Sequence, residues 1–207
     1  MKILSFSQLG DVRVAVCRDP RECLRERDEF LTKTEQEALS RIGHRVRRDQ
    51  SMAVRILLKR LIVKTQGCDP LQVRLVKKTS GGLRLRGAAK KQQVSVSHSG
   101  AWMAVAVAKS AVGVDIQENR RLKNENAFRR RISSKQDRGL EDVKTLDLWA
   151  LKEAVVKARG RGLVSEVSLR VISARMFRAK LGRMSFDCAL KPLSRGVRLA
   201  VARRRGA

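Results

Sequence analysis

An aspartate set in an otherwise apolar run is the strongest constraint that this sequence places on its own fold. Val112-Gly113-Val114-Asp115-Ile116 reads as a strand with a carboxylate among side chains suited to burial. An ionised carboxylate buried without a partner is costly, so Asp115 needs a cation or a set of donors beside it. A second segment, Leu146 to Ala158, reads as a strong helix. Its Trp149, Glu153 and Lys157 are spaced i, i+4 and i+8 and share one stripe. Gly160 and Gly162 suit the helix end, because glycine takes the left-handed conformation of a C-terminal cap. Taken singly, these residues have plain explanations. Glu153 and Lys157 would be an exposed ion pair worth roughly 0.3–0.5 kcal/mol, and Asp115 a strand-end acid paired with one of many arginines.

The rest of the chain alternates between strand and helix patterns. Ile3 to Phe6 and Val12 to Val16 read as short strands, as do Val94 to Ser97 and Met103 to Ala108, the latter two joined through His98-Ser99-Gly100. Val167 to Ile172, Met184 to Leu190 and Val197 to Ala202 make the C-terminal part strand-rich. Thr34, followed by Glu35, Gln36 and Glu37, predicts a capped helix N-terminus. Asp49 to Lys64, with Met52, Ile56, Leu57 and Leu61 at helical spacing, predicts an amphipathic helix. Thr79-Ser80-Gly81-Gly82 reads as a turn. Arg120 to Arg138 reads as basic, partly helical and mobile, and the tail 203–207 as frayed. The expected fold class is α/β or α+β, with a division near residue 110 that separates 1–110 from 111–207.

Composition narrows the partners. Among 207 residues, 47 Lys+Arg stand against 20 Asp+Glu, a formal net charge of +27. Such a surplus attracts nucleic acid, an anionic surface or an acidic protein. Aromatics make up 3% and tyrosine is absent, which counts against modules that stack bases but not against a binder that grips phosphates. The four cysteines, Cys17, Cys23, Cys68 and Cys188, form no C-x-x-C pair, and with only His44 and His98 there is no zinc pattern. No stretch approaches the roughly 20 apolar residues of a membrane helix, so no membrane partner and a cytoplasmic location are expected.

Together, the two leading segments resemble a family. GVDIQ followed by LWALKEAVVKARGRGL is similar to the G-[VI]-D-[IV] strand and W-x-x-K-E-[AS]-x-x-K helix of the 4'-phosphopantetheinyl transferases. Val96-Ser97-His98-Ser99-Gly100 resembles that family's SHS segment, and RRDQSMAVRILLKRL its arginine-bearing first-half helix. The length resembles the two-halved, monomeric Sfp-type members. The fold that this implies has two similar halves related by a pseudo-twofold axis, each a small antiparallel sheet packed on a long helix. Coenzyme A would lie between them.

The resemblance also implies roles. Asp115 and Glu153 would bind Mg²⁺, and Glu153 would help deprotonate a serine of an acidic acyl or peptidyl carrier protein. Lys157 would contact the pyrophosphate of coenzyme A; Ser97 and His98 would hold its phosphates, with Lys152 assisting. Arg48, among the first-half arginines Arg47, Arg48 and Arg55, would meet the 3'-phosphate. Two departures stand out. Gln117 occupies the position of a second acid, on the same side as Asp115 by strand alternation, and offers a carbonyl oxygen without charge. Gly82-Leu83-Arg84 replaces a G-K-P segment, leaving Arg84 as a substitute for its lysine. A non-catalytic nucleic-acid- or ribosome-binding protein, and a transferase that keeps the fold without turnover, are the competing readings.

Overall fold

The structure, a computed structural model, describes residues 2–77, 82–87 and 91–206. Residues 79–81 of the expected Thr79–Gly82 turn lie outside the described residues. The architecture is mixed α+β, with two larger antiparallel sheets and helices packed on them. The first sheet takes β1 (Lys2–Ser5), β2 (Arg13–Cys17), β5 (Gln93–Ser99) and β6 (Trp102–Ala108) in the order β1-β2-β6-β5. A two-stranded ribbon, β3 (Val73–Lys77) with β4 (Leu83–Gly87), sits beside β5. The second sheet takes β7 (Val112–Glu118), β8 (Ser168–Ser173), β9 (Met176–Leu181), β10 (Met184–Ser194) and β11 (Val197–Arg204) in the order β7-β11-β10-β9-β8.

The helices are α1 (Pro20–Leu24), α2 (Arg27–Phe30), α3 (Lys33–Ser40), α4 (Arg45–Gln66), α5 (Glu125–Ile132) and α6 (Thr145–Arg159). The predicted Asp49–Lys64 helix is α4, longer at both ends, and its C-terminus is closed by Gly67 in the left-handed conformation. The cap of α3 is Thr32, not Thr34. The Thr32 hydroxyl accepts from the Glu35 N–H at 3.2 Å while the Glu35 carboxylate accepts from the Thr32 N–H at 3.0 Å, a reciprocal pair that Thr34 cannot make.

Period-two alternation in the strands builds three apolar layers. One face of the first sheet, with Ala15, Met103, Val105 and Val107, packs on Ile56, Leu57, Leu61 and other side chains of α4. Its other face, with Val14, Val16, Ala104 and Ala106, meets Val114, Ile116, Leu199 and Val201 of the second sheet. The far face of the second sheet, with Phe177, Phe186, Cys188, Ala200 and Ala202, packs on Leu148, Leu151, Ala154 and Val155 of α6. Each fully buried Leu or Val contributes about 1.5–3 kcal/mol relative to exposure. The order α4, sheet, sheet, α6 sets β5 of the first sheet beside β7 of the second, and the site forms along that seam.

Candidate active site

The seam is stitched by serines. β7 hydrogen-bonds to β11 along one edge, which leaves alternate backbone N–H groups on its other edge without a ladder partner. Ser95, Ser97 and Ser99 of β5 fill that need. Their hydroxyls accept from the N–H groups of Val114 at 3.0 Å, Ile116 at 3.2 Å and Glu118 at 3.1 Å. Alternation places all three serines on one face of β5, and the apolar Val94 and Val96 on the face toward α4. Of these three, only Ser97 is expected from the sequence at the site. The alternating V-S-V-S-H-S run carried the signal for the others.

Asp115 is buried, and its partners are all present. Its Oδ1 accepts from Lys157 Nζ at 2.5 Å and from the Ser97 hydroxyl at 2.8 Å, while its Oδ2 accepts from Gln117 Nε2 at 2.7 Å. Lys157 Nζ also donates to Ser97 Oγ at 3.1 Å. The cation that the sequence demanded is therefore Lys157, brought in by α6. Gly113 makes this approach possible: a Cβ there would lie 1.8 Å from the Ala154 carbonyl oxygen and 2.6 Å from the Ala158 nitrogen. Any side chain at 113 would push α6, and with it Glu153 and Lys157, away from β7.

Around these groups lies a cleft of about 670 Å³. Ser97, His98, Asp115, Gln117, Glu153 and Lys157 all line it, as does Trp149, so the stripe on α6 faces it as one unit. Trp149 is braced by Phe128 of α5, with ring centroids 5.2 Å apart. Gly82 and Leu83 close one side, and Gly160, Arg161 and Gly162 follow the end of α6. Arg161 is an exposed cation at the cleft wall that the sequence reading passed over, although it stands between the two glycines that drew notice.

Burial shifts two groups of the cleft, Glu153 and His98, toward their neutral forms. Burial raises the Glu153 carboxyl above its ordinary value, Lys157 pulls it back and Asp115 pushes it further up. Desolvation at the cleft wall lowers the His98 imidazole, and the Lys157 charge lowers it further; Asp115 opposes this and Arg47 adds to it. At neutral pH His98 is therefore an uncharged donor and acceptor.

Three expected site residues are not brought to the cleft. Lys152 is fully buried and donates to the Ile132 carbonyl and to Asp137 Oδ2, each at 2.8 Å. Five residues from Lys157 is about 140° around a helix, which turns Lys152 to the opposite side. In this position Lys152 anchors the 132–137 segment rather than lining the cleft. Arg48 does not line the cleft, and of the first-half arginines it is Arg47 whose charge reaches His98. Arg84 is exposed on β4, where its neighbour Leu83 lines the cleft instead.

The carboxylates of Asp115 and Glu153 line the cleft as hard oxygen donors, with the Gln117 amide beside them, and the buried Asp115 already holds one positive charge at hydrogen-bond distance. Among the described residues no three His, Cys, Asp or Glu side chains converge. A magnesium ion fits that donor set, since Mg²⁺ is commonly held by one or two carboxylates with substrate phosphates and water.

Residues 111–202 match the family model of the 4'-phosphopantetheinyl transferase superfamily. The matched stretch runs from β7 through α6 into β11, and so includes Asp115, Gln117, Glu153 and Lys157. It ends before Arg203 and does not reach β5, whose Ser97 and His98 complete the cleft wall. No curated protein matches the chain. Among the described residues, no helix is long and apolar enough to cross a membrane.

Proposed function

We propose that this protein transfers the 4'-phosphopantetheine arm of coenzyme A to a serine of an acidic carrier protein, releasing adenosine 3',5'-bisphosphate. The observation that carries this reading is the convergence of Asp115, Glu153, Lys157 and Ser97 from three elements on one cleft, the first three inside the residues that match the superfamily. Phosphoryl transfer is catalysed mainly by positioning and charge neutralisation, which is what a cleft with two carboxylates and a paired lysine supplies.

Asp115 and Glu153 are the residues to hold Mg²⁺, with Gln117 as a neutral third donor once a half-turn of its amide exchanges Nε2 for Oε1. When bound, the ion would neutralise pyrophosphate charge. Lys157 would exchange its bond to Asp115 for a pyrophosphate oxygen and stabilise the charge on the departing bisphosphate. Glu153, its pKa raised by burial, is suited to accept the proton of the attacking serine hydroxyl. The serine oxygen forms the new bond to the β-phosphorus as the bond to the bridging oxygen breaks. Ser97 would keep Asp115 oriented through its hydrogen bond, and uncharged His98 would donate to a phosphate oxygen.

A two-halved, Sfp-like organisation, with 1–110 contacting the nucleotide and 111–207 carrying the chemistry, agrees with one sheet and one long helix in each part. It is supported too by a matching detail. α4 and α6 each bury one lysine completely, Lys59 on Glu35 and Lys152 on Asp137. The net charge of +27 suits an acidic partner, whose encounter it would steer.

The test is the intact mass of a panel of apo carrier proteins incubated with this protein, coenzyme A and Mg²⁺. The expected result is a gain of one phosphopantetheine on at least one carrier, abolished by EDTA. No gain on any carrier, with coenzyme A still bound in titration, would reduce the protein to a transferase fold without turnover.

A further inference from the structure

The face of the second sheet that meets the first sheet does not end where the first sheet ends. Along β11, Val197, Leu199 and Val201 lie on that face and are buried between the sheets, and the same alternation continues with Arg203 and Arg205. The layer still covers Ala189 of β10 and reaches Met176 of β9, but toward the other end of these strands the face is open and turns basic. Strand register sets Arg170, Arg178, Asp187 and Arg203 side by side on one rung across β8, β9, β10 and β11. The next rung carries Ser168, Lys180 and Ser185, with Arg205 bonded through its N–H to the Ser185 carbonyl. Arg138, bridged to Arg170, extends the array beyond β8. A shallow cleft of about 520 Å³ lies over these side chains.

At one end Arg203 is tied into the fold, donating to Ser110 Oγ at 2.9 Å and lying 3.5 Å from Asp11 Oδ1, but the side chains over the cleft are not matched in the same way. Arg170 and Arg178 stand directly opposite each other on adjacent strands, a like-charge pair that weakens a sheet. The carboxylate of that rung is already shared, with Asp187 Oδ1 lying 3.4 Å from Arg178 Nε and 3.3 Å from Arg205 Nη1. Arg178 Nε is enclosed and makes no hydrogen bond. Lys180, Arg170 and Arg138 are exposed, and among the described residues no carboxylate lies within ion-pair distance of them. No residue lining this cleft lines the one around Asp115 and Glu153, so the array does not serve the transfer site.

We propose that this open face of β8–β10 docks a nucleic-acid duplex through its phosphates, without reading its sequence. An excess of positive charge around the one Asp187 carboxylate, on a shallow strand surface with hydroxyl-bearing neighbours, suits a repeating phosphodiester chain, which contacts of this kind position but do not discriminate. The cleft lining offers a protein partner no apolar anchor: its one aliphatic side chain, Leu169, is buried under the sheet. An interface with an acidic protein would require such a core, and a bilayer would require apolar or aromatic side chains to insert. The duplex requires neither. This proposal is independent of the transferase reading.

The experiment is anisotropy titration of a labelled 24-base-pair DNA duplex of arbitrary sequence across a salt series. The wild type is compared with Arg170→Ser/Arg178→Ser/Lys180→Ser and with Arg25→Ser/Arg27→Ser/Lys33→Ser, a control removing three exposed cations from the N-terminal part. The face variant should bind at least roughly tenfold more weakly, with a log K against log salt slope shallower by about 2–3, while the control shifts little. Hydrogen exchange on the unaltered protein should show duplex protection on β8–β10, which holds whether or not the triple variant folds. Equal losses in the two variants, protection elsewhere, or binding to phosphatidylserine vesicles or polyglutamate in preference to the duplex would overturn the proposal.

Discussion

The two sides of α6 carry the same chemistry and use it differently. On one side Lys152, fully buried, meets Asp137; on the other Lys157, with 29% of its side chain exposed, meets Asp115. The Lys152 pair is closed. Asp137 also accepts from the N–H groups of Ser134 and Leu169, and Lys152 also donates to Ile132, so α6, β8 and the segment after α5 are locked together. The Lys157 pair is open. It faces a cleft and stands next to Glu153, a carboxyl with no hydrogen-bond partner among the described residues and a raised pKa. An ion pair sealed from solvent holds a structure; one left at a cleft wall has a bond to exchange.

The sharpest way to break this contrast is to change the neighbour of each lysine. Glu153→Gln removes charge but not volume, and should slow carrier modification by about 10²–10⁴-fold while the protein stays folded. Undiminished activity in that variant would remove the assigned base. On the closed side, Lys152→Met strands the Asp137 carboxylate, and breaking a buried pair costs about 3–5 kcal/mol. Thermal melting should fall on the order of 10 °C, with activity per folded molecule unchanged. A melting point equal to wild type would mean that the pair is not holding α6.

Much of this was legible because periodicity is local. The α6 stripe, the Asp115 strand and the left-handed Gly160 follow from spacing and residue type alone, and the strand and helix pattern gave the mixed α+β class. What was not legible depends on contacts across the fold. Lys152 sits next to Glu153 in sequence, and only the packing of α5 against α6 shows which lysine is sealed. The reason for Gly113 is the carbonyl of Ala154, some forty positions away. Strands β3, β4 and β9 were not anticipated, although Leu83-Arg84-Leu85-Arg86 and Phe177-Arg178-Ala179-Lys180-Leu181 alternate apolar and basic residues; these segments are short and their apolar positions few. The cap at Thr32 was missed for Thr34 because both precede acids, and only the reciprocal bond to Glu35 distinguishes them.

Smaller effects sharpen the same contrast. Ser95→Ala would leave the buried Val114 N–H without its acceptor, at about 1–3 kcal/mol, and loosen the β7 edge next to Asp115. Chemical denaturation would detect this; no change would mean that the serine seam is incidental. The smallest effect is in pH. A carboxyl with a raised folded pKa favours the fold below its unfolded value and loses that contribution as pH rises through the folded value. Glu153 should therefore cost stability at neutral pH, and Glu153→Gln should melt slightly higher than wild type at pH 7, with the difference closing in acid. A difference that grows toward acid would reverse the assigned direction.

The most direct measurement is the initial rate of phosphopantetheine gain on one apo carrier, read by intact mass for wild type, Lys152→Met and Lys157→Met. It is made below the melting range of all three. The expected result is the wild-type rate for Lys152→Met and a loss of about 10²–10³-fold for Lys157→Met, since one donor to developing charge is removed. A normal rate in Lys157→Met, or an equal loss in a folded Lys152→Met, would contradict it.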